Sequence, residues 1–189
     1  TEELGLTPGI VQHMDVDDDQ LLLLESGRLW HIDLETLQAT WMQSGKELGS
    51  AYYDRRGVLY SDAASTLRYH DLETDELRDI TEEIDQTGWV LDAKHFNMTR
   101  FYTGNGFTLL GDLVVYISTT NAVMSYNMKT SEVRPLLLSP RSYGPEDDPL
   151  TFTYAEPIAM EDGTLLVHAY TSFGKRTPAE RWVYKVNVP

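Results

Sequence analysis

The sequence predicts an all-β, β-propeller-like fold of about four four-stranded antiparallel blades, in one domain spanning residues 1–189. Three observations carry this. A short motif repeats along the chain. Each copy follows an apolar run and a turn. No helical period of useful length competes, apart from a short helix near Thr81 to Asp85.

The motif is Leu29-Trp30-His31-Ile32-Asp33-Leu34-Glu35-Thr36. It returns as Leu67-Arg68-Tyr69-His70-Asp71-Leu72-Glu73-Thr74 and, more loosely, as Val123-Met124-Ser125-Tyr126-Asn127-Met128-Lys129-Thr130. A fourth copy, Arg181-Trp182-Val183-Tyr184-Lys185-Val186, is recognised by pattern and place. The preceding apolar runs are Leu21 to Leu24, Val58 to Tyr60, Leu113 to Ile117 and Leu165 to Val167. Before each lies an Asp- or Gly-bearing turn and another β-prone run. After the first three copies comes one more, such as Leu37 to Met42 or Val133 to Leu137. Four strands per unit of about 40 to 50 residues make propeller blades. The expected blades are residues 8–42, 48–80, 106–137 and 152–188. One meander cannot bury both of its faces, so neighbouring blades must stack.

Asp33, Asp71 and Asn127 close the turn between the third and fourth strands. A side-chain oxygen there accepts backbone N–H groups, so these residues read as turn formers rather than ligands.

The ends are offset. Thr1-Glu2-Glu3-Leu4-Gly5-Leu6-Thr7 matches the fourth-strand stretches that begin at Thr74 and Thr130. The chain ends at Pro189, just after a third strand. Residues 1–7 are therefore expected to complete the last blade and remove its open edge. A closed four-bladed ring, part of a larger propeller, and a homodimer or larger assembly that completes the ring all fit that order.

The repeat resembles the quinoprotein-like and lactonase-like (YVTN-type) propellers, whose blades carry a Tyr-x-Asp-x-x-Thr-Gly turn. Asp33, Thr36 and Trp41 look like the tryptophan-docking pattern of quinoprotein blades. The glycine of that turn is replaced by Leu37, Asp75 and Ser131. The resemblance implies the architecture, not quinone chemistry, because no cofactor-binding residue can be matched. No cofactor is expected.

The formal charge of −15 and pI near 4.5 disfavour a nucleic-acid backbone or an anionic membrane as partner. No apolar run approaches the roughly 20 residues of a membrane span. With no cysteine, disulfides and thiolate metal sites are excluded. That absence fits the cytosol, or a secreted protein that avoids thiols; a start at Thr1 rather than Met reads as a processed or cut chain, and the expectation leans to an extracytoplasmic or secreted location.

Candidate chemistry is sparse. The run Asp15-Val16-Asp17-Asp18-Asp19-Gln20 lacks the Gly and Glu that a calcium loop needs, leaving an acidic hairpin turn or an irregular calcium site. The histidines His13, His31, His70, His95 and His168 form no pair at metal-ligand spacing, and alternation puts His31 and His70 on opposite faces of equivalent strands. No nucleophile elbow or phosphate loop is present.

The long insertions are more informative. They are Thr81 to Asn105, Leu138 to Leu150 and Thr171 to Glu180. Blade topology assigns all three to one rim. They hold Trp89, His95, Phe96, Arg100, Phe101, Tyr102, Arg141, Tyr143, Phe173, Lys175 and Arg176, the aromatic and basic types that anchor interfaces. A plugged axis would use aromatics equally well. The leading expectation is a non-catalytic binding or sensing module that takes a protein or small ligand at this rim. The alternatives are a carbohydrate-active or lactonase-like hydrolase with converging carboxylates at the axis, and a structural scaffold within a larger propeller.

Overall fold

The computed structural model describes residues 11–25, 28–44, 51–54, 56–61, 66–88, 106–118, 120–139, 148, 150–160, 162–172, 175 and 177–188. The chain divides into two compact units, Thr1–Thr81 and Glu82–Pro189.

The first unit holds two antiparallel meanders. One is β1 (Val11–Asp17), β2 (Gln20–Glu25), β3 (Arg28–Asp33) and β4 (Gln38–Ser44). The other is β5 (Ala51–Asp54), β6 (Gly57–Ser61), β7 (Leu67–Asp71) and β8 (Leu77–Asp79). A short helix follows, α1 (Ile80–Gln86). The second unit holds β9 (Phe107–Leu110), β10 (Leu113–Ile117), β11 (Val123–Asn127) and β12 (Glu132–Leu137) as one sheet. Its other sheet is β13 (Phe152–Ala159), β14 (Leu165–Thr171) and β15 (Arg181–Val186), three-stranded among the described residues. The architecture is all-β and blade-like, with strands paired in chain order, as the repeat predicts. The proposed completing strand, residues 1–7, lies outside the described residues.

The repeated motif builds the same staple in the three full meanders. Asp33 Oδ1 accepts the Thr36 N–H at 2.7 Å. Asp71 Oδ1 accepts Glu73 and Thr74 at 3.0 and 2.9 Å, and Asn127 Oδ1 accepts Lys129 and Thr130 at 2.9 and 3.0 Å. The next residue then reaches the neighbouring turn. Leu34, Leu72 and Met128 donate their N–H groups to the carbonyls of Asp19, Arg56 and Asp112 at 2.6, 2.8 and 2.9 Å. One side chain thus closes the turn between strands three and four, and the following amide ties it to the turn between strands one and two. Backbone hydrogen bonds from Thr36 and Thr74 hold the carboxyls of Asp33 and Asp71 below the usual carboxylate range. The acidic run at Asp17–Gln20 is itself the two-residue hairpin joining β1 and β2, with Asp18 at φ 51°.

Leu37, Asp75 and Ser131, which stand where the resembled turn has glycine, sit at φ 54°, 58° and 56°. The backbone demands the left-handed region, and the chain meets it with side-chain-bearing residues at a cost of about 1–2 kcal/mol each.

Packing within each unit follows from sheet stacking. In the first, Leu22 and Leu29 of one meander meet Val58 and Tyr60 of the other, with Leu72 against them. His31 shares the Leu22 face and His70 the Val58 face. Alternation does place the two histidines on opposite faces, and stacking turns those faces toward each other. Burial lowers the His31 pKa, against a smaller opposing pull from Asp33. Strand β6 is buried along its whole length. Its Gly57 lies beneath the Tyr69 ring, where an added Cβ would come within 2.5 Å of the ring carbon, the phenol oxygen and the His70 carbonyl. In the second unit, Val115, Ile117 and Val123 of one sheet pack with Phe152, Tyr154, Leu165, Val167 and Ala169 of the other. Each buried Val, Ile, Leu or Phe among them contributes about 1.5–3 kcal/mol by leaving water.

Leu37 is 54% exposed, so Leu37→Gly relieves backbone strain without losing core contacts. It should raise stability by up to about 1 kcal/mol in urea unfolding. Gly57→Ala should cost about 1–3 kcal/mol in the same assay, because the Tyr69 ring must move.

Candidate binding site

In an antiparallel meander, the links between strands one and two and between three and four fall at one end. The link between two and three falls at the other. In the second unit the first end carries the tight turns at residues 111–112, 128–131 and 160–164. The opposite end carries residues 118–122, 138–151 and 172–180. The long segments of this unit therefore emerge together.

Two polar side chains organise this end. Asn121, at φ 60°, behaves like a residue of an additional strand on the edge of β13. Its Oδ1 accepts the Tyr154 N–H at 2.8 Å, and its Nδ2 donates to the Phe152 carbonyl at 2.8 Å and to Ser139 Oγ at 2.9 Å. The turn that presents it is locked by Ser118, whose carbonyl accepts the Asn121 N–H and whose Oγ accepts the Ala122 N–H. Asn121 thereby joins the two sheets of the unit and covers a sheet edge that would otherwise present bare backbone.

Asp148 is the second organiser. It is buried, at 7% exposure. Its Oδ1 accepts the Lys175 N–H at 2.8 Å, and its Oδ2 accepts both the N–H and the hydroxyl of Thr177 at 3.0 Å. A buried carboxylate needs such donors, and a short segment of loop backbone supplies them. Below this clasp, Ser172 donates its N–H to the Thr151 carbonyl and accepts the Thr151 N–H at its Oγ. Thr171 exchanges bonds with Glu180 across the loop base. Tyr154 OH donates to the Leu138 carbonyl at 3.1 Å, and burial raises the pKa of this phenol. Among the described residues, 148, 151, 172, 175 and 177 of these two segments are thus bonded into one platform.

Of the predicted rim residues, Lys175 lies on this platform, exposed, with its backbone N–H on Asp148. Trp89, His95, Phe96, Arg100, Phe101, Tyr102, Arg141, Tyr143, Phe173 and Arg176 lie outside the described residues. Sequence reasoning missed Asn121 and Asp148, the two organisers. Asp148 falls in a loop singled out for its length, but nothing local marked it among so many acidic residues.

Among the described residues, no three His, Asp or Glu side chains are grouped as a metal site would need. A cleft of about 140 Å³ opens at the tight-turn end, lined by Asn127, Glu132, Arg134 and Val188. It falls below the roughly 300 Å³ of a small-molecule pocket, and its Arg134 is engaged with Glu132 at 2.7 Å.

No protein-family model matches the sequence, and no curated protein matches it. Solved structures do match. The N-terminal domain of Nup159, a β-propeller, aligns with a TM-score of 0.54 at 11% identity, over 95% of this chain and 45% of that one. The extracellular domain of BT4673 from B. thetaiotaomicron aligns with a TM-score of 0.52 at 12% identity, over 94% of this chain and 23% of that one. The computationally designed Ika4 protein gives 0.52 at 9% identity, over 95% and 94%. The fold is shared with propellers. At these identities the likeness speaks for the fold alone. The chain spans under half of the Nup159 domain and about a quarter of the BT4673 one.

Asp148→Ala leaves the donors of residues 175 and 177 without their carboxylate. It should cost about 1–3 kcal/mol. Amide hydrogen exchange at Lys175 and Thr177 should accelerate, while β10 and β14 amides keep their protection relative to global stability.

Proposed function

We propose that this chain is a non-catalytic binding or sensing module that takes a protein or small ligand on its loop-rich rim. The observation that carries the reading is the Asp148 clasp, which ties residue 148 of one long segment to residues 175 and 177 of another. Those segments contain Arg141, Tyr143, Phe173, Lys175 and Arg176, cations and aromatics gathered in a chain of net charge −15. Cationic and aromatic side chains on a pre-organised backbone lose little entropy on binding, which is what an interface anchor requires. The cations favour an acidic partner surface over the chain's own acidic exterior.

Related folds support this use. The BT4673 domain is the extracellular part of its system, and an extracytoplasmic site for the present chain is proposed on the same footing. Among the described residues, no helix is long and apolar enough to cross a membrane. A homodimer or a larger assembly that completes the ring remains part of the proposal, since the matched propeller is about twice as long.

A photo-crosslinking residue in place of Lys175 tests the platform against one in place of Lys129, which lies at the tight-turn end. Crosslinks to partner should form at the first position and not at the second. The double variant Arg141→Glu/Arg176→Glu should reduce their yield about tenfold or more, as interface anchors do. Equal yield with and without the charge reversal would sink the rim assignment.

A further inference from the structure

Lys175 is exposed in the long segment that links β14 to β15, and Arg176 follows it in the sequence. We propose that the Lys175–Arg176 peptide bond is a latent cleavage site for a serine endoprotease with an acidic primary pocket, held shut by the Asp148 clasp.

A protease of this class reads a basic side chain in its primary pocket. It also takes its substrate as an added extended strand, through main-chain hydrogen bonds. Three lysines lie among the described residues. Lys185 is inside β15 and pairs with Leu166 of β14, so its backbone already belongs to a ladder. Lys129 sits in the tight turn between β11 and β12, where Asn127 Oδ1 holds the amides of Lys129 and Thr130 at 2.9 and 3.0 Å. Its side chain reaches Asp112 at 2.6 Å. A turn closed this tightly has too little chain to be drawn out into a strand. Lys175 differs from both. It lies in residues 172–179, between the paired ends of β14 and β15, where Thr171 donates its N–H to the Glu180 carbonyl.

The clasp withholds this segment from a protease. Asp148, at 7% exposure, accepts the Lys175 N–H at 2.8 Å and both the N–H and the hydroxyl of Thr177 at 3.0 Å. A protease that binds Lys175 as a strand residue needs the same amide, so it competes with Asp148 for one donor. Thr177 lies beyond the scissile bond. The carboxylate therefore holds the chain on both sides of that bond. Bonds to a charged acceptor are about twice as strong as neutral ones. Cleavage must wait for the clasp to open locally.

The reaction is hydrolysis. The protease serine attacks the Lys175 carbonyl carbon, the C–N bond to Arg176 breaks, and the amine leaves with a proton. Water then releases the acyl group as a carboxylate. Strands β14 and β15 keep their six cross-strand pairs, and Thr171 keeps its bonds to Glu180. One cut thus uncouples residue 175 from residue 177 and opens the platform while the sheet stays whole. The proposal stands on the clasp geometry, whatever the rim binds.

Limited proteolysis of the native full chain by a lysine-specific serine endoprotease tests it, with each cut located by mass. Asp148→Ala should be cut after Lys175 at least about tenfold faster than the unaltered chain, since the open population sets the rate. Cutting after Lys185 should stay as slow as before. Equal rates after Lys175 in the two chains overturn the proposal, and so does equal acceleration after Lys185. Where Asp148→Ala does not fold, Thr177→Val removes one bond of the three and should speed the cut about threefold or more. An unchanged rate in that variant overturns the proposal. The nicked chain should elute as one species and separate into two fragments in denaturant only. Separation without denaturant overturns the inference that the cut opens the platform alone.

Discussion

Each meander of this chain carries apolar side chains on both faces, and a single sheet has no means of burying both. Strand β6, buried throughout, and strand β10, with Val114 and Tyr116 on one face and Val115 and Ile117 on the other, make the constraint concrete. Within each unit a second sheet covers one of these faces. Everything else in the structure serves that stacking. The strands are short, so that sheets stay narrow enough to stack. In each unit the core is the layer between its two sheets, such as the one in which Val115, Ile117 and Val123 meet Phe152, Leu165 and Val167.

The tight turns of each unit are built for rigidity. The Asp33, Asp71 and Asn127 staples satisfy turn amides that no ladder reaches, and the amides that follow bind the two turns of each sheet together. These turns spend the Asp33, Asp71 and Asn127 side chains on their own backbone. The left-handed positions at Leu37, Asp75 and Ser131 show that turn geometry is imposed by the sheet and accepted by whatever residue stands there.

The loop end uses the same currency of side chain to backbone bonds, but at long range. Asn121 acts on residues about thirty positions later in the chain, and so does Asp148. The consequence is functional rather than merely structural. Residues 148, 175 and 177, far apart in sequence, are held together, and Lys175 is presented from a fixed base.

The sequence by itself determined the strands, their order, the Asp-x-x-Thr turns and the repeat that makes them blades. These rest on alternation and on contacts between residues two or three positions apart, so the signal is local and recurs wherever the element recurs. It also singled out the long segments, including the one that carries Lys175, because loop length is countable. Only the tertiary structure decided which polar residues organise those loops. Asn121 and Asp148 look in the sequence like any other Asn or Asp; what distinguishes them is a partner brought near by sheet stacking. The resemblance marked Leu37, Asp75 and Ser131 as the turn-glycine positions, but that the backbone there keeps φ above zero without glycine is decided by the paired strands on either side. The burial of Gly57 beneath Tyr69 has the same cause: cross-strand packing, a relation between chain segments that no local pattern encodes.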